Sequence, residues 1–505
     1  MKHKVLLFNP RAIKRGSPHY RIPNSILQIA ASIHDRYEYI IVDGNREKDA
    51  WPKIKHYLEN EPIKFFGATV MPGPQLKEAI RITKKIRERH PAVINIWGGY
   101  FPSNQPRVVL ESDFVDFIVN GPGDKAFPDL LEALSQKRSI ENINNLIYRN
   151  PNGQLIKTPK ETLLDQDQLP ELPYEQLNQF YSIKGYLQPS HLGRQTIAYH
   201  SSIGCPFKCS FCAVVPIFEA RWKGKSAENI YRDIIRIKSQ YGGDAIEFHD
   251  NNFFVSQKRA VEFARLIRKE NMHWWGEGRI DTLDRYSDDA LELLHESGCK
   301  MIFFGAESGN DELLKQMDKG GKQSREQILS FAARLKKIGI VPEYSFVLGF
   351  PAKNPKKVMA QIDADIRFIK EIKAVNPDTE IIIYIYSPVP TEGSELYQRI
   401  TEAGFSFPEK LEDWLEPEWE KFDLRKNPLT PWLTPKMVDR IRNFEAVIHA
   451  YYPTATDIRI SNFQKKVIRN LASFRYKYNI FSYPYEIKAL QKFWLKYRQP
   501  EIEGF

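Results

Sequence analysis

Twice along this chain, short apolar runs rich in β-branched and aromatic residues alternate with amphipathic helical stretches. This alternation limits the fold more than any other feature. Over residues 1–140 the runs are KVLLFNP, YIIVDG, FFGATV, VINIWGG and VDFIVNG, with helical segments such as NSILQIAASIHDR and QLKEAIRITKKIRERH between them. Five strand–helix repeats predict an α/β unit with a doubly wound parallel sheet. Ligands in such sheets bind beyond the carboxyl ends of the strands. Those ends are Asn9-Pro10-Arg11, Thr69 to Pro72, Gly98-Gly99-Tyr100 and Gly121 to Gly123. Glycine there lets backbone approach a large flat ligand closely, although strand ends also carry glycine with no ligand nearby.

After this unit, NLIYRNPNGQLIKTP reads as a hairpin around Asn152-Gly153, followed by a Pro- and Gln-rich connector, so that residues 141–194 form a hairpin and linker. A second alternation fills residues 195–405, with expected strands QTIAYHSS, AIEFHDN, HWWGEGR, MIFFGAE, PEYSFVLGF and EIIIYIYSP. Six β/α repeats predict a partial (β/α)6 barrel of TIM type, whose reactive groups belong at the carboxyl ends of its strands. Residues 406–505 lose the strand rhythm and read as a mainly helical, aromatic and basic region.

Cysteine is scarce and concentrated. Three of the four lie in SSIGCPFKCSFCAVV, at positions 205, 209 and 212, directly after the first strand of the second alternation. Too few remain for a disulfide framework, and a clustered trio in a reducing compartment reads as metal ligation. Thiolates at Cys-x3-Cys-x2-Cys spacing suit three irons of a 4Fe–4S cluster, leaving one iron open. The alternative is a structural zinc site completed by a distant histidine such as His200 or His249. Placement at a barrel mouth favours the cluster. Cys299, just past Gly298 and heading into KMIFF, reads as a buried structural thiol. No stretch reaches the roughly 18 apolar residues of a membrane span, and the amino-terminal apolar run stops at Asn9-Pro10, too early for a signal peptide. A cytoplasmic protein is expected.

The cysteine spacing, with Phe211 before its last member, resembles the hallmark of radical S-adenosylmethionine enzymes. Later segments agree in order. IEFHDNNF resembles the family's second strand end, with His249 and Asp250 as the matching positions; GRIDTL resembles the third, with Arg279 and Asp281; FFGAESG resembles the fourth, with Glu307 and Ser308. The resemblance spans residues 195–405. It implies that these side chains meet S-adenosylmethionine, whose amino and carboxylate groups chelate the open iron. Acidic Asp250 and Glu307 suit its ammonium and ribose hydroxyls, and Arg279 its carboxylate. The implied chemistry is reductive cleavage to methionine and a 5′-deoxyadenosyl radical, fed by an electron donor such as flavodoxin or ferredoxin.

With that context the first unit resembles the Rossmann-like, cobalamin-binding domain of one branch of the superfamily, carried by RIPNSILQIAASI, WGGYFPS and VNGPGDKAFPDLL. The corrinoid-binding candidates are Asn9, Pro10, Thr69, Gly98, Gly99, Tyr100, Gly121 and Gly123, with Pro122 where that branch usually carries Glu. No Asp-x-His-x-x-Gly motif occurs, which implies a corrinoid held without histidine on cobalt. Residues 1–204 hold no second cysteine trio, and only Cys299 follows the barrel trio, which separates the chain from methylthiotransferases and from enzymes with auxiliary clusters. The expected activity is C-methylation of an unactivated carbon in a small-molecule or lipid-like substrate. A non-methylating cyclisation, rearrangement or oxidation is the alternative, and a sensor without turnover is a third reading from another class. No residue is singled out as a catalytic acid, base or nucleophile.

Charge adds one expectation. The 73 Lys and Arg against 63 Asp and Glu give a formal net charge of +10, and much of the excess lies in residues 459–500. Basic amphipathic stretches there predict either helices packed on the barrel or weak attachment to an anionic membrane surface. The aromatic segments LEDWLEPEWEKF, LTPWLT and HAYYPT predict packing core or a cap over the barrel mouth. No recognisable RNA-binding module is present, so a nucleic-acid partner is not expected.

Overall fold

A computed structural model describes residues 3–13, 20–317, 323–390, 394–419, 429–453 and 460–494. Its first sheet contains β1 (Lys4–Asn9), β2 (Tyr39–Asp43), β3 (Ile63–Thr69), β4 (Ile94–Gly98), β5 (Phe117–Val119), β6 (Leu146–Arg149) and β7 (Leu155–Lys157). Their order is β2-β1-β3-β4-β5-β6-β7, parallel from β2 through β5. Chain direction across the sheet reverses at β1, which leaves a crevice beyond the ends of β1 and β3. The hairpin turns at Gly153 (φ +77°), as the Asn-Gly signal predicts. It is more than a linker, because β6 pairs antiparallel with β5 and lengthens this sheet to seven strands.

Both faces of the sheet are covered, so its strands read as continuous apolar runs. Along β1, Val5 and Leu7 join one core while Leu6 and Phe8 join the other, the two-residue alternation of a strand. Helix Pro74–Arg89 shows the complementary period: it opens on proline and buries Leu76, Ala79, Ile80 and Ile86.

The second unit is a parallel sheet of β8 (Thr196–Tyr199), β11 (Ala245–Phe248), β12 (His273–Gly278), β13 (Cys299–Glu307), β14 (Val341–Leu348) and β15 (Glu380–Ile385), each beside its sequence neighbour. This is the expected partial barrel. Between β8 and β11 lies an antiparallel ribbon, β9 (Ser202–Gly204) with β10 (Trp222–Gly224), which the sequence reading did not anticipate. Connecting helices are capped by short polar side chains. Ser226 accepts from Asn229 N and Ser324 from Gln327 N, each worth about 1 kcal/mol.

Helices Pro435–Tyr451, Asn462–Lys477 and Tyr485–Trp494 complete the described chain, the first packing on β15 and on helix Pro355–Val375. The aromatic segments divide their roles. Trp414 lies edge-on to Phe101 at 5.0 Å, covering the amino-terminal unit rather than the barrel. Trp432 sits at the barrel mouth, where its indole N–H donates to Gly349 O at 2.9 Å.

Candidate functional site

The cysteine loop is a staple hung between β9 and β10. Gly204, the residue before Cys205, has φ +74°, and a Cβ there would stand 2.2 Å from Arg221 O across the ribbon. Only glycine meets both demands. Farther along, Ser210 N donates to Met317 O and Ser210 Oγ to Gln316 O, both at 3.0 Å. Cys209 is buried, and Cys205 and Cys212 are half-buried. Among the described residues, no three His, Cys, Asp or Glu converge as a single-ion site requires. A cubane instead takes each thiolate on a different iron, so the donor set suits a cluster rather than zinc. Cys299 is fully buried at the opposite end of β13, about 26 Å of strand from the barrel mouth.

Around this loop the strand-end candidates divide by what they hold. Arg279 forms a forked pair with Asp281 (2.9 and 3.0 Å), and its Nη1 donates to Cys209 Sγ at 3.1 Å. The guanidinium also lies 3.9 Å above the Phe207 ring. Glu307 ends β13 at a bulge with φ +66°, a left-handed conformation that costs a non-glycine residue about 1–2 kcal/mol.

Three further candidates are held by other side chains of the protein. Asp250 is wholly buried and accepts from Ser201 N, Ser201 Oγ and Ser202 Oγ at 2.5–2.6 Å, with Arg259 at 3.8 Å. Its oxygens tie down the chain entering the cysteine loop. Asp281 is committed to Arg279. Ser308 Oγ donates to Asp365 at 2.7 Å, and burial pushes that carboxyl up to about 6 against the hydrogen bonds from Ser308 and Gly309 N.

The corrinoid candidates face a different opening. A cleft with about 2100 Å³ of free space, counting the part open to solvent, runs between the two units. Asn9, Thr69, Gly98, Gly99, Tyr100, Gly121 and Gly123 line it from the first sheet; Pro10 does not. Opposite stand His200, Ile203, Val214, Ile217, Phe218 and His249, so the cysteine-loop helix and the barrel's first strand ends share the same space. Gly99 has φ +95° and its missing Cβ keeps the β4 end against Thr69 and Val70. Ser103 Oγ and Asn24 Oδ1 are buried at the cleft without a hydrogen-bond partner, as donor and acceptor groups awaiting a polar ligand rim would be. Space, open backbone and unpaired polar atoms fit a corrinoid. Among the described residues, none that lines the cleft from the first sheet or its loops is histidine.

Several further side chains shape the site. Arg21 forms a forked pair with Glu247 (2.8 and 3.1 Å), joining the two units at the cleft floor. Burial works to raise the Glu247 carboxyl, but Arg21 and His249 outweigh it and hold it well below the usual range. His200 and His249 stack at 6.0 Å. His200 lines the cleft and is exposed; loss of hydration, with repulsion from His249, lowers its pKa to about 4, so it is neutral at pH 7. Lys160 donates to Asn120 O and Oδ1 (2.6 and 2.7 Å) behind Gly121, with burial drawing its pKa down to about 7. His249 was named from the sequence; Glu247 stood beside it in IEFHDNNF and Arg21 opened RIPNSILQIAASI without being singled out, and Lys160 gave no signal.

Comparison with known proteins agrees with this geometry. The model of the radical SAM superfamily matches residues 199–364, and that of the B12 binding domain matches residues 11–131. An uncharacterized methyltransferase of Pyrococcus horikoshii is 27% identical over 376 residues, covering 73% of this chain and 78% of the relative. The cytidylyl-2-hydroxyethylphosphonate methyltransferase of Streptomyces wedmorensis is 22% identical over 454 residues, covering 81% and 83%. Among solved structures, the cobalamin-dependent S-adenosylmethionine radical enzyme OxsB superposes with a TM-score of 0.71 at 16% identity, over 98% of this chain and 75% of that one. Two family models in tandem, on the two units whose strand ends share one cleft, place this chain in the cobalamin-binding branch of the radical S-adenosylmethionine enzymes.

Proposed function

We propose that this enzyme transfers a methyl group to an unactivated carbon of a small-molecule or lipid-like substrate. The carrying observation is the shared cleft, in which strand ends suited to a corrinoid and side chains beside the cysteine loop line one cavity. The methyltransferases among its relatives support the same reading. When bound, the cluster and S-adenosylmethionine supply radical chemistry and the corrinoid supplies the methyl group. Cys205, Cys209 and Cys212 would hold three irons, with Arg279 keeping positive charge beside the Cys209 sulfur. Glu307 and His249 remain the side chains proposed to meet S-adenosylmethionine, while Asp250, Asp281 and Ser308 position the groups that do. Apolar Ile203, Val214, Ile217 and Phe218 limit water in the cleft. Neutral His200 offers substrate a hydrogen-bonding nitrogen there. Reduction calls for an external one-electron donor of flavodoxin or ferredoxin type, and a chain this sparing of cysteine suits the reducing cytoplasm.

Anaerobic reconstitution with iron, sulfide, hydroxocobalamin and methyl-labelled S-adenosylmethionine, followed by mass spectrometry of candidate products, tests the reading. Labelled product together with 5′-deoxyadenosine is expected. 5′-Deoxyadenosine with an unmethylated product would replace methyl transfer by cyclisation or rearrangement, and absence of both would leave a sensor.

A further inference from the structure

Ten large hydrophobic side chains stand exposed among the described residues, and eight of them fall between positions 463 and 493. Helix Asn462–Lys477 explains the concentration. One face carries Ile468, Ala472 and Tyr476 inward, at four-residue spacing, with Tyr476 stacked on Tyr451 at 4.3 Å. At 100° per residue, Phe463, Leu471, Phe474 and Tyr478 gather on a second face that is left largely uncovered: Phe463 is 75% exposed and Phe474 63%. Helix Tyr485–Trp494 continues the pattern, anchored by Ile487 and exposing Tyr485 (71%) and Phe493 (73%). Scattered apolar side chains on a surface are ordinary, but a contiguous aromatic set is an interaction site.

Charge decides what the set meets. Residues 460–494 contain seven Lys or Arg and one acid, Glu486. That acid is already neutralised by Arg475, whose Nη2 lies 3.1 Å from it. Lys466, Arg469, Lys477, Lys488 and Lys492 are exposed around the aromatics. Aromatic side chains bordered by cations match the apolar interior and anionic headgroups of a leaflet, with rings at the interface and ammonium groups among phosphates. No helix among the described residues is long and apolar enough to cross a membrane.

We propose that helices Asn462–Lys477 and Tyr485–Trp494 form a docking surface for an anionic lipid bilayer. Attachment is peripheral, reversible by salt, and independent of the reaction assigned to the cleft. A substrate drawn from the membrane would then be met at the surface where it resides.

Sedimentation of the full chain with vesicles tests this. Phosphatidylcholine vesicles are compared with vesicles containing about one-third phosphatidylglycerol, at roughly 50 and 500 mM salt. Binding is expected to the anionic vesicles at low salt only. The combination Lys466→Glu, Lys477→Glu and Lys492→Glu should weaken it at least about a hundredfold. Phe463→Ser with Phe474→Ser and Phe493→Ser should also weaken it, while both variants keep the wild-type Tm because the altered side chains are exposed. Equal binding to neutral vesicles, or none to anionic vesicles at low salt, overturns the proposal. So does a concentration-dependent dimer that the same substitutions dissolve, since a second copy would then be the occupant.

Discussion

Arg279 shows how much one side chain can organise, since its guanidinium meets a carboxylate, a ring and a cysteine sulfur at once. Replacing Cys205, Cys209 or Cys212 by Ser should abolish the brown absorbance and iron of the reconstituted protein. Cys299→Ala should leave both unchanged while lowering stability by about 1 kcal/mol, through loss of a buried sulfur. Iron loss in that last variant would overturn the ligand assignment. His200 gives a pH prediction. An unfolded imidazole takes its proton near pH 6.5, but His200 in the fold resists to about 4. The unfolded state therefore binds more protons across that window, so this contribution is intact above about pH 6.5 and is lost as pH falls towards 4. His200→Asn should flatten the fall in Tm between those values, and an unchanged profile would show that His200 titrates normally. The sequence exposed the cysteine trio because contiguous spacing survives folding unchanged. It gave no sign of the protein partners of Asp250 and Ser308, because Ser201 and Asp365 lie 49 and 57 residues away.

At the scale of elements, the β9–β10 ribbon is the device that holds the loop of proposed cluster ligands. Three residue pairs close it, with Trp222 opposite Gly204. Gly204→Ala would combine a left-handed backbone with a backbone collision, at about 2 kcal/mol or more. We expect it to lose iron while retaining the far-ultraviolet circular dichroism of the wild type; full iron occupancy would show that the ribbon tolerates distortion. Two three-residue strands carry too little periodicity to be read from sequence, whereas β13, with nine residues, was legible as MIFFGAE. The same limit explains the hairpin. Its turn announced itself through Asn152-Gly153, but a strand's partner is chosen by exposed hydrogen-bonding edges, and β5 offered one.

Over the whole molecule, the two units are held by contacts that join distant parts of the chain: Arg21 to Glu247, and Asn24 Nδ2 to Ala198 O at 3.1 Å. Glu247→Gln should cost about 3 kcal/mol, because both groups are largely buried. It should also weaken hydroxocobalamin binding measured by absorbance titration; unchanged affinity would mean that the clasp does not shape the cleft. No sequence pattern marks such a pair, as 226 residues separate its members. The seating of Ser210 on Gln316 and Met317 is just as remote, and it acquires a meaning during synthesis. The three thiols leave the ribosome before Arg279, and more than 100 residues before Gln316 and Met317. A nascent chain thus presents its thiols before the residues that seat the loop are in place. Iron delivered at that stage would meet an unformed pocket, so cofactor insertion belongs after residue 317 has emerged, and growth conditions that slow translation should deplete iron from the protein without reducing its yield.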